Sequence, residues 1–259
     1  MKNRKVVIWG IAAVIVITFI IAVLIDNSRK VDFEDETMGE MIAKTMRLES
    51  VDKLRVDDLE KVEILNIGYT GYYDTLGDIE KCPNLKRLII SCPYSTMLYY
   101  PFAEKEMPEA ESKERVKQIE KELESILEKC PKLEEFSISN EKGNCALDNI
   151  EFLKKGKNLD VIYLFHQTNI DYSPLSECKE LVVLVLRQCD VSDLSMLSEL
   201  ENLKSLYLEG TNVADVEELL KLKNLNNLEI VITDTPLAEK TEELESLQQQ
   251  FPGLKIKID

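Results

Sequence analysis

Histidine is scarce in this chain, with one in 259 residues, which limits the acid–base catalysis and metal binding that histidine usually provides. The sequence contains no G-x-S-x-G or H-E-x-x-H motif, no glycine-rich phosphate loop and no calcium-loop pattern. Its six cysteines include no C-x-x-C pair, so a zinc site is not expected. Nothing supplies a nucleophile, a base and an oxyanion site together. The sequence therefore predicts a non-enzymatic protein with no cofactor, no metal ion and no small-molecule substrate.

Positive charge is also in short supply. The chain has 32 Lys and Arg residues against 48 Asp and Glu residues, which gives a formal net charge of −16. An acidic surface repels nucleic acid phosphates and anionic membranes, so a nucleic acid partner is not expected. It attracts basic protein segments, which leaves open a basic protein or peptide partner. Simple solubility would also account for the charge.

A repeat dominates the second half of the sequence. Leu159, Leu181, Leu203 and Leu225 are spaced at 22 residues, and each begins a similar phrase. A fixed period in this range indicates a solenoid. Within a phrase the apolar residues follow L-x-x-L-x-L, whose last step has the two-residue period of a strand. A strand that returns once per coil must stack in parallel on the strand of the previous coil.

The same frame extends towards the N-terminus and predicts about seven coils in all. The first leucine-type positions of these coils are Val62, Leu85, Leu133, Leu159, Leu181, Leu203 and Leu225. Residues 254–258 alternate strictly and predict a closing edge strand. The ninth position of a phrase is a hydroxyl or thiol residue in most coils, which predicts a buried ladder of turn residues. These ladder residues are Thr70, Cys189, Thr211 and Thr233, together with Thr168 if one residue is inserted after Leu164.

These phrases resemble the leucine-rich repeat family, particularly the short bacterial, internalin-like type. Residues 168–175, Thr-Asn-Ile-Asp-Tyr-Ser-Pro-Leu, look like the N-x-I-x-D-x-x-P-L connection of that type. The resemblance covers roughly residues 58–258. It implies an α/β solenoid with a parallel sheet on its concave face, helices or turns on its convex side, and a protein-binding role. One departure is that Thr or Cys replaces the usual asparagine ladder.

The sequence also predicts a segment at each end of the repeats and one insert within them. Residues 1–30 form a cytoplasmic tip and a transmembrane anchor, and residues 31–57 form a linker and an N-terminal cap with a helix over 37–48. Residues 58–235 form the repeats, with a helical insert at about 97–130, and residues 236–259 form a C-terminal cap with a helix over 236–250. The apolar stripe of the insert helix, over about 108–129, favours packing on the convex side. A protruding element that contacts a partner is the alternative.

The N-terminal segment predicts membrane anchorage. Residues 6–25 contain no charged residue, and twenty helical residues span about 30 Å, the thickness of a bilayer core. A cleaved signal peptide is the alternative, but the apolar stretch is long and ends without a clear A-x-A site. Basic residues at 2, 4 and 5 favour a cytoplasmic N-terminus. The repeats would then lie outside the cytoplasm, at a bacterial cell surface.

The repeat frame also assigns most of the cysteines. Cys82, Cys130 and Cys178 each lie three residues before the first leucine of a coil, where other coils have Leu or Phe, so they act as small core residues. Cys189 occupies a ladder position. Disulfides between Cys82 and Cys130, or between Cys92 and Cys145, remain open.

Side chains that alternate with the core leucines point outwards and form the predicted binding surface. Aromatic, apolar and Arg residues concentrate on three neighbouring coils, and these types are enriched at binding hot spots. We call this set the predicted patch: Tyr163, Phe165, His166, Val185, Arg187, Tyr207 and Glu209. The alternative is that strand propensity alone selects Tyr and Val. The predicted function is protein or peptide binding through the concave face. The alternative is a structural subunit of a cell-envelope assembly that contacts partners through the insert helix or the membrane segment.

Overall fold

The computed structural model describes Thr18, residues 29–91 and residues 106–258. Within these residues eight strands form one sheet in chain order, and every neighbouring pair is parallel. The strands are β1 (Ile64–Gly68), β2 (Arg87–Ile90), β3 (Glu135–Ser139), β4 (Val161–Phe165), β5 (Val183–Arg187), β6 (Ser205–Glu209), β7 (Glu229–Thr233) and β8 (Lys255–Ile258). The predicted parallel solenoid sheet with a closing edge strand is therefore confirmed.

Helices and 3₁₀ turns connect the strands on the opposite side of the core. The α-helices are α1 (Glu36–Thr45), α2 (Val56–Leu59), α3 (Lys113–Lys129), α4 (Val216–Leu220) and α5 (Thr241–Gln250). The 3₁₀ turns that return the chain to the sheet are Gly77–Lys81, Glu151–Lys155, Ser173–Glu177, Ser195–Leu197 and Leu225–Asn227. These turns occur in coils of 22–26 residues, which leave little room for a long helix.

Alternate residues of each strand form the core. Leu184 and Leu186 of β5, for example, are both 0% exposed, whereas Val185 between them is partly exposed. Burying one such leucine contributes roughly 1.5–3 kcal/mol. No coil closes this core alone, so the free energy of folding depends on the stacking of neighbouring coils.

The last repeat departs from the predicted frame. Leu206 pairs with Ile230 and Leu208 with Ile232, so the step from β6 to β7 is 24 residues rather than 22. Leu228, Ile230 and Ile232 alternate with a two-residue period and fit either register, and the turn at Leu225–Asn227 takes up the two extra residues. The prediction that Leu228 and Ile230 fill the two core strand positions of this coil was therefore wrong.

The ends of the solenoid are covered by helices. The predicted N-terminal helix appears as α1, capped by Asp35, whose side chain accepts the N–H of Met38. Fully buried Asp78 accepts the backbone N–H groups of Glu34 (3.1 Å) and Asp35 (2.7 Å), which ties this cap to the first coil. The C-terminal segment divides into a 3₁₀ turn (Pro236–Glu239) and α5 rather than forming one helix.

The insert appears as α3, which begins at Lys113 rather than near residue 108. Ser112 sets this start because its side chain accepts the N–H of Arg115. The apolar stripe of α3 is buried against the solenoid, in agreement with convex-side packing, and consists of Val116, Ile119, Leu123, Ile126 and Leu127.

No helix in the described part of the chain is both long and apolar enough to cross a membrane. The predicted membrane segment, residues 6–25, lies outside the described residues except for Thr18.

Candidate functional site

The side chains that point away from the core form the face we call the sheet face, which the sequence predicts to be concave. Its middle row follows the strand register and runs Asn66, Ile89, Ser137, Tyr163, Val185, Tyr207, Val231 and Lys257. Val231, not Glu229, takes the β7 place in this row because of the shifted register. A rigid parallel sheet therefore fixes the relative positions of Tyr163, Val185 and Tyr207.

Apolar residues of the sheet face form a cluster separate from the main core. Phe165 (6% exposed) packs with Ile89 (8% exposed), and Ile64, Tyr163 and Val185 pack against this pair. The rings of Tyr163 and Phe165 are stacked, with centroids 6.0 Å apart and planes inclined by 21°. The structure thus brings three residues of the predicted patch into one cluster and adds Ile64 and Ile89 to it.

Arg187 and Glu209, two further patch residues, form an ion pair between β5 and β6. The Nη2 to Oε1 distance is 2.6 Å, and the two side chains are 29% and 30% exposed. At this exposure such a pair contributes about 0.2–1 kcal/mol to stability. Its larger effect is on charge, because the carboxylate neutralises the guanidinium that was predicted to contact a partner.

His166 lies in the turn after β4 rather than on the sheet face. Its backbone has φ of 55°, and its N–H donates to the carbonyl of Arg187 at 2.8 Å. Gln188 and Gly210 repeat this arrangement after β5 and β6, with φ of 53° and 61°. The His166 backbone therefore serves a recurring left-handed turn.

Comparison with known proteins bears on the fold. No protein-family model matches the chain, and no curated protein matches it. Among solved structures, internalin C2 from Listeria monocytogenes has a TM-score of 0.55 and 18% identity, covering 88% of this chain and 94% of that one. The chain has a leucine-rich repeat fold of the internalin-like type.

Two further structures are similar but less close in shape. An internalin (inlF) from Listeria monocytogenes has a TM-score of 0.49 and 19% identity over 87% of this chain, which spans 63% of that internalin. A leucine-rich repeat protein from Leptospira interrogans has a TM-score of 0.35 and 16% identity, covering 78% of this chain and 55% of that one.

The buried ladder of turn residues differs from the prediction in two coils. Thr70, Cys189 and Thr211 are buried as predicted, and the Cys189 thiol donates to the carbonyl of Leu164 at 3.4 Å. Thr168 is exposed and Thr233 ends a strand, so both assignments were wrong. Gln167 (1% exposed) and Thr235 (5% exposed) take their places. No extra residue follows Leu164, and β7 lies two residues later in the chain than the 22-residue frame predicts, so the turn positions move accordingly.

A second ladder, made of asparagines, was missed in the sequence. Each side-chain amide donates to a backbone carbonyl about one coil earlier, from Asn202 to Lys179 at 3.0 Å and from Asn224 to Leu203 at 3.0 Å, for example. Asn84 and Asn158 do the same. The signal was an asparagine directly before the first leucine of a coil. These bonds stabilise the stacking of the repeats at the edge where the strands begin.

The five cysteines in the described residues are free and buried. Burial raises the pKa of Cys82 to about 12 and that of Cys130 and Cys178 to about 11. Such thiols are poor nucleophiles. The Cys82–Cys130 disulfide, open from the sequence, is absent here, and Cys92, the other half of the possible pair with Cys145, lies outside the described residues.

The helix α3 uses its apolar stripe for packing, and its carboxylates organise the neighbouring loop. Buried Glu120 accepts the N–H groups of Asp148 (2.7 Å) and Asn149 (2.8 Å), and also the Asn149 side-chain amide (2.6 Å). The apolar stripe and the buried Glu120 carboxylate therefore hold α3 against the solenoid and against the loop at residues 148–149.

Proposed function

We propose that this chain is a membrane-anchored, extracytoplasmic leucine-rich repeat protein that binds another protein or a peptide through its sheet face. The observation that carries the proposal is the patch of Tyr163, Val185, Arg187 and Tyr207, which is partly exposed and held on adjacent parallel strands. Tyr and Arg are, with Trp, the residue types most enriched among binding hot spots.

The rigidity of the sheet supports this proposal. The patch residues lie on strands whose opposite faces are fully buried, so little conformational freedom remains to be lost on binding. A surface of this kind suits an extended contact with a protein segment, because its outward side chains lie in rows across neighbouring strands. Within residues 29–91 and 106–258, no group of three or more His, Cys, Asp or Glu residues is arranged to hold a metal ion. We therefore propose binding rather than catalysis.

The acidic composition of the chain favours a partner that carries basic residues. The net charge of −16 raises the association rate of a cationic partner through long-range attraction.

A capture experiment tests the binding role. The 259-residue chain, wild type or Tyr163→Ala/Tyr207→Ala, is produced in its host, crosslinked and purified, and the co-purified proteins are compared. We expect the double variant to lose its crosslinked partners while Val56→Ala/Leu220→Ala retains them. Val56 and Leu220 are 47% and 50% exposed and lie on helices away from the sheet face, so they control for loss of apolar surface. Equal capture by all three proteins would contradict the proposal.

Membrane anchorage needs its own test. The proposal rests on the uncharged stretch of residues 6–25, preceded by Lys2, Arg4 and Lys5. We expect the chain to stay in the membrane fraction after alkaline extraction and to be digested by protease added outside intact cells. Release by alkali would contradict the anchor, and protection from protease would contradict the orientation.

A further inference from the structure

The charged residues of the sheet face almost cancel one another. The outward positions of β1–β8 in the described residues carry four cations and three carboxylates, a net charge of +1. All three carboxylates are paired across neighbouring strands. The pairs are Arg87–Glu135 at 2.7 Å, Arg187–Glu209 at 2.6 Å and Lys257–Glu229 at 2.6 Å. In a chain of net charge −16, the face predicted to bind is therefore close to neutral.

Between these pairs lies an uncharged strip. It consists of partly exposed apolar and tyrosine side chains on β4–β7, namely Val161, Tyr163, Val183, Val185, Tyr207 and Val231. Three strand spacings make the strip about 15 Å long. Its residues offer apolar area and two phenol rings but no net charge, so a purely basic ligand would gain little from them.

The negative charge lies at one edge of the sheet instead. The segments that leave β3–β7 (residues 140–150, 166–172, 188–194, 210–215 and 234–235) contain seven carboxylates and one lysine, a net charge of −6. The segments that enter β3–β7 (residues 130–134, 156–160, 178–182, 198–204 and 221–228) contain six lysines and five carboxylates, a net charge of +1. We call these two edges the exit edge and the entry edge.

Ion pairs with the helical side of the molecule reduce this asymmetry without removing it. Asp193 pairs with Lys221 at 2.8 Å and Asp215 with Lys240 at 2.7 Å. Three further carboxylates of the exit segments, Glu141, Asp148 and Asp171, are exposed. Hydrogen bonds from Ser173 lower the pKa of Asp171, so this carboxylate stays ionised.

We propose that the sheet face binds a protein segment with two-sided chemistry, in one orientation. The segment places uncharged apolar side chains on the strip and Lys or Arg side chains along the exit edge. The inference rests on the proposed function and specifies its ligand: the apolar contact provides affinity, and the charged edge sets association rate and direction. A highly basic ligand without apolar residues does not fit.

Defined peptides test the proposal. Three fluorescein-labelled twelve-residue peptides share four leucines and differ in four other positions, which are all Lys, all Ser or all Glu, with Gly and Ser elsewhere. A fourth peptide has the lysines but Ser in place of leucine. Binding to the 259-residue chain is measured by fluorescence anisotropy at low and high salt. We expect the Leu/Lys peptide to bind roughly tenfold more tightly than the Leu/Ser peptide at low salt, and the Leu/Glu and leucine-free peptides to bind more weakly still.

Matched variants locate the charge effect. In Glu141→Gln/Asp148→Asn/Asp171→Asn the advantage of lysine over serine falls below about threefold, because three exit-edge charges are lost. In Glu134→Gln/Glu180→Gln/Glu201→Gln the net charge changes equally, but on the entry edge, and we expect the advantage to be retained. An equal loss in both variants would show that only net charge matters and would overturn the proposed orientation.

The outcomes also separate this inference from the proposed function. If the leucine peptides bind and Tyr163→Ala/Tyr207→Ala abolishes binding, but the Lys, Ser and Glu versions bind alike, the two-sided ligand is wrong and the binding face stands. If no peptide binds, or if the tyrosine variant binds them all as the wild type does, both proposals fail.

Discussion

Two adjacent residues of β5 provide a quantitative test of which strand face is core. Leu186 is 0% exposed, and its replacement by Ala removes buried methyl groups and leaves a cavity between stacked coils. Substitutions of this kind cost about 2–5 kcal/mol. Val185 precedes it in the chain but lies partly exposed on the sheet face, so Val185→Ala should cost less than about 1 kcal/mol.

Urea unfolding followed by far-UV circular dichroism measures this difference. With a urea slope of about 2 kcal/mol per molar, a loss of 3 kcal/mol lowers the midpoint of Leu186→Ala by about 1.5 M. The midpoint of Val185→Ala should fall by less than about 0.5 M. Both estimates assume an unchanged slope, and a smaller slope for Leu186→Ala would indicate that the damaged coil unfolds apart from its neighbours. Equal midpoints for the two variants, or a larger fall for Val185→Ala, would refute the strand assignment.

Three further predictions concern a turn, a thiol and a buried carboxylate. Gly210 has φ of 61°, and a Cβ there would lie 2.0 Å from the Gln188 side chain. Gly210→Ala should therefore lower the urea midpoint by the equivalent of about 1 kcal/mol or more. Gly143→Ala, at φ of 76° in open space, should cost less. Burial raises the pKa of Cys82 to about 12, so the folded state keeps the thiol proton that the unfolded chain releases above about pH 8.5. The resulting contribution to stability is full below about pH 8.5 and is lost as the pH rises towards 12. Cys82→Ala should therefore make the urea midpoint less sensitive to pH between about 8 and 10.5, and an unchanged sensitivity would contradict the burial of this thiol. Glu120→Ala leaves the amides of Asp148 and Asn149 without their acceptor and should lower the free energy of unfolding, measured with urea, by about 1–3 kcal/mol. Glu128 is exposed on the same helix, and an equally large decrease for Glu128→Ala would show that the three Glu120 hydrogen bonds are unimportant.

The repeat made most of the fold predictable. A strand that is buried on one face repeats its leucines at fixed intervals, so the period alone predicts parallel stacking and the direction of each side chain. Apolar spacing likewise predicted α3, whose stripe packs on the solenoid. These features depend on burial, which requires apolar residues at regular positions in the sequence.

The register of β7 was harder to predict than which face of each strand is buried. Leu228, Ile230 and Ile232 are all apolar with the same parity, so two registers satisfied the pattern equally and only the turn at Leu225–Asn227 decides between them. The same ambiguity misplaced Thr233 in the ladder, where Thr235 belongs.

The patch was predictable as a set of outward positions but not in its charge. Arg187 and Glu209 lie 22 residues apart and so share a position in the predicted frame, but their ion pair is seen only in the structure. The Glu229–Lys257 pair depends on the β7 register, which the frame misplaced. Only with these pairs known does the sheet face become a neutral strip beside an acidic edge. The binding role of Tyr163, Phe165, His166, Val185, Arg187, Tyr207 and Glu209 stays a prediction.

Site-specific photocrosslinking tests the binding face most directly. The photoreactive residue p-benzoylphenylalanine is placed at position 207, on the sheet face, or at position 220, on α4, in the 259-residue chain, and cells that produce it are irradiated. We expect a discrete crosslinked product from position 207 and none from position 220. A product from position 220 alone, or the same product from both positions, would contradict the claim that the sheet face is the binding surface.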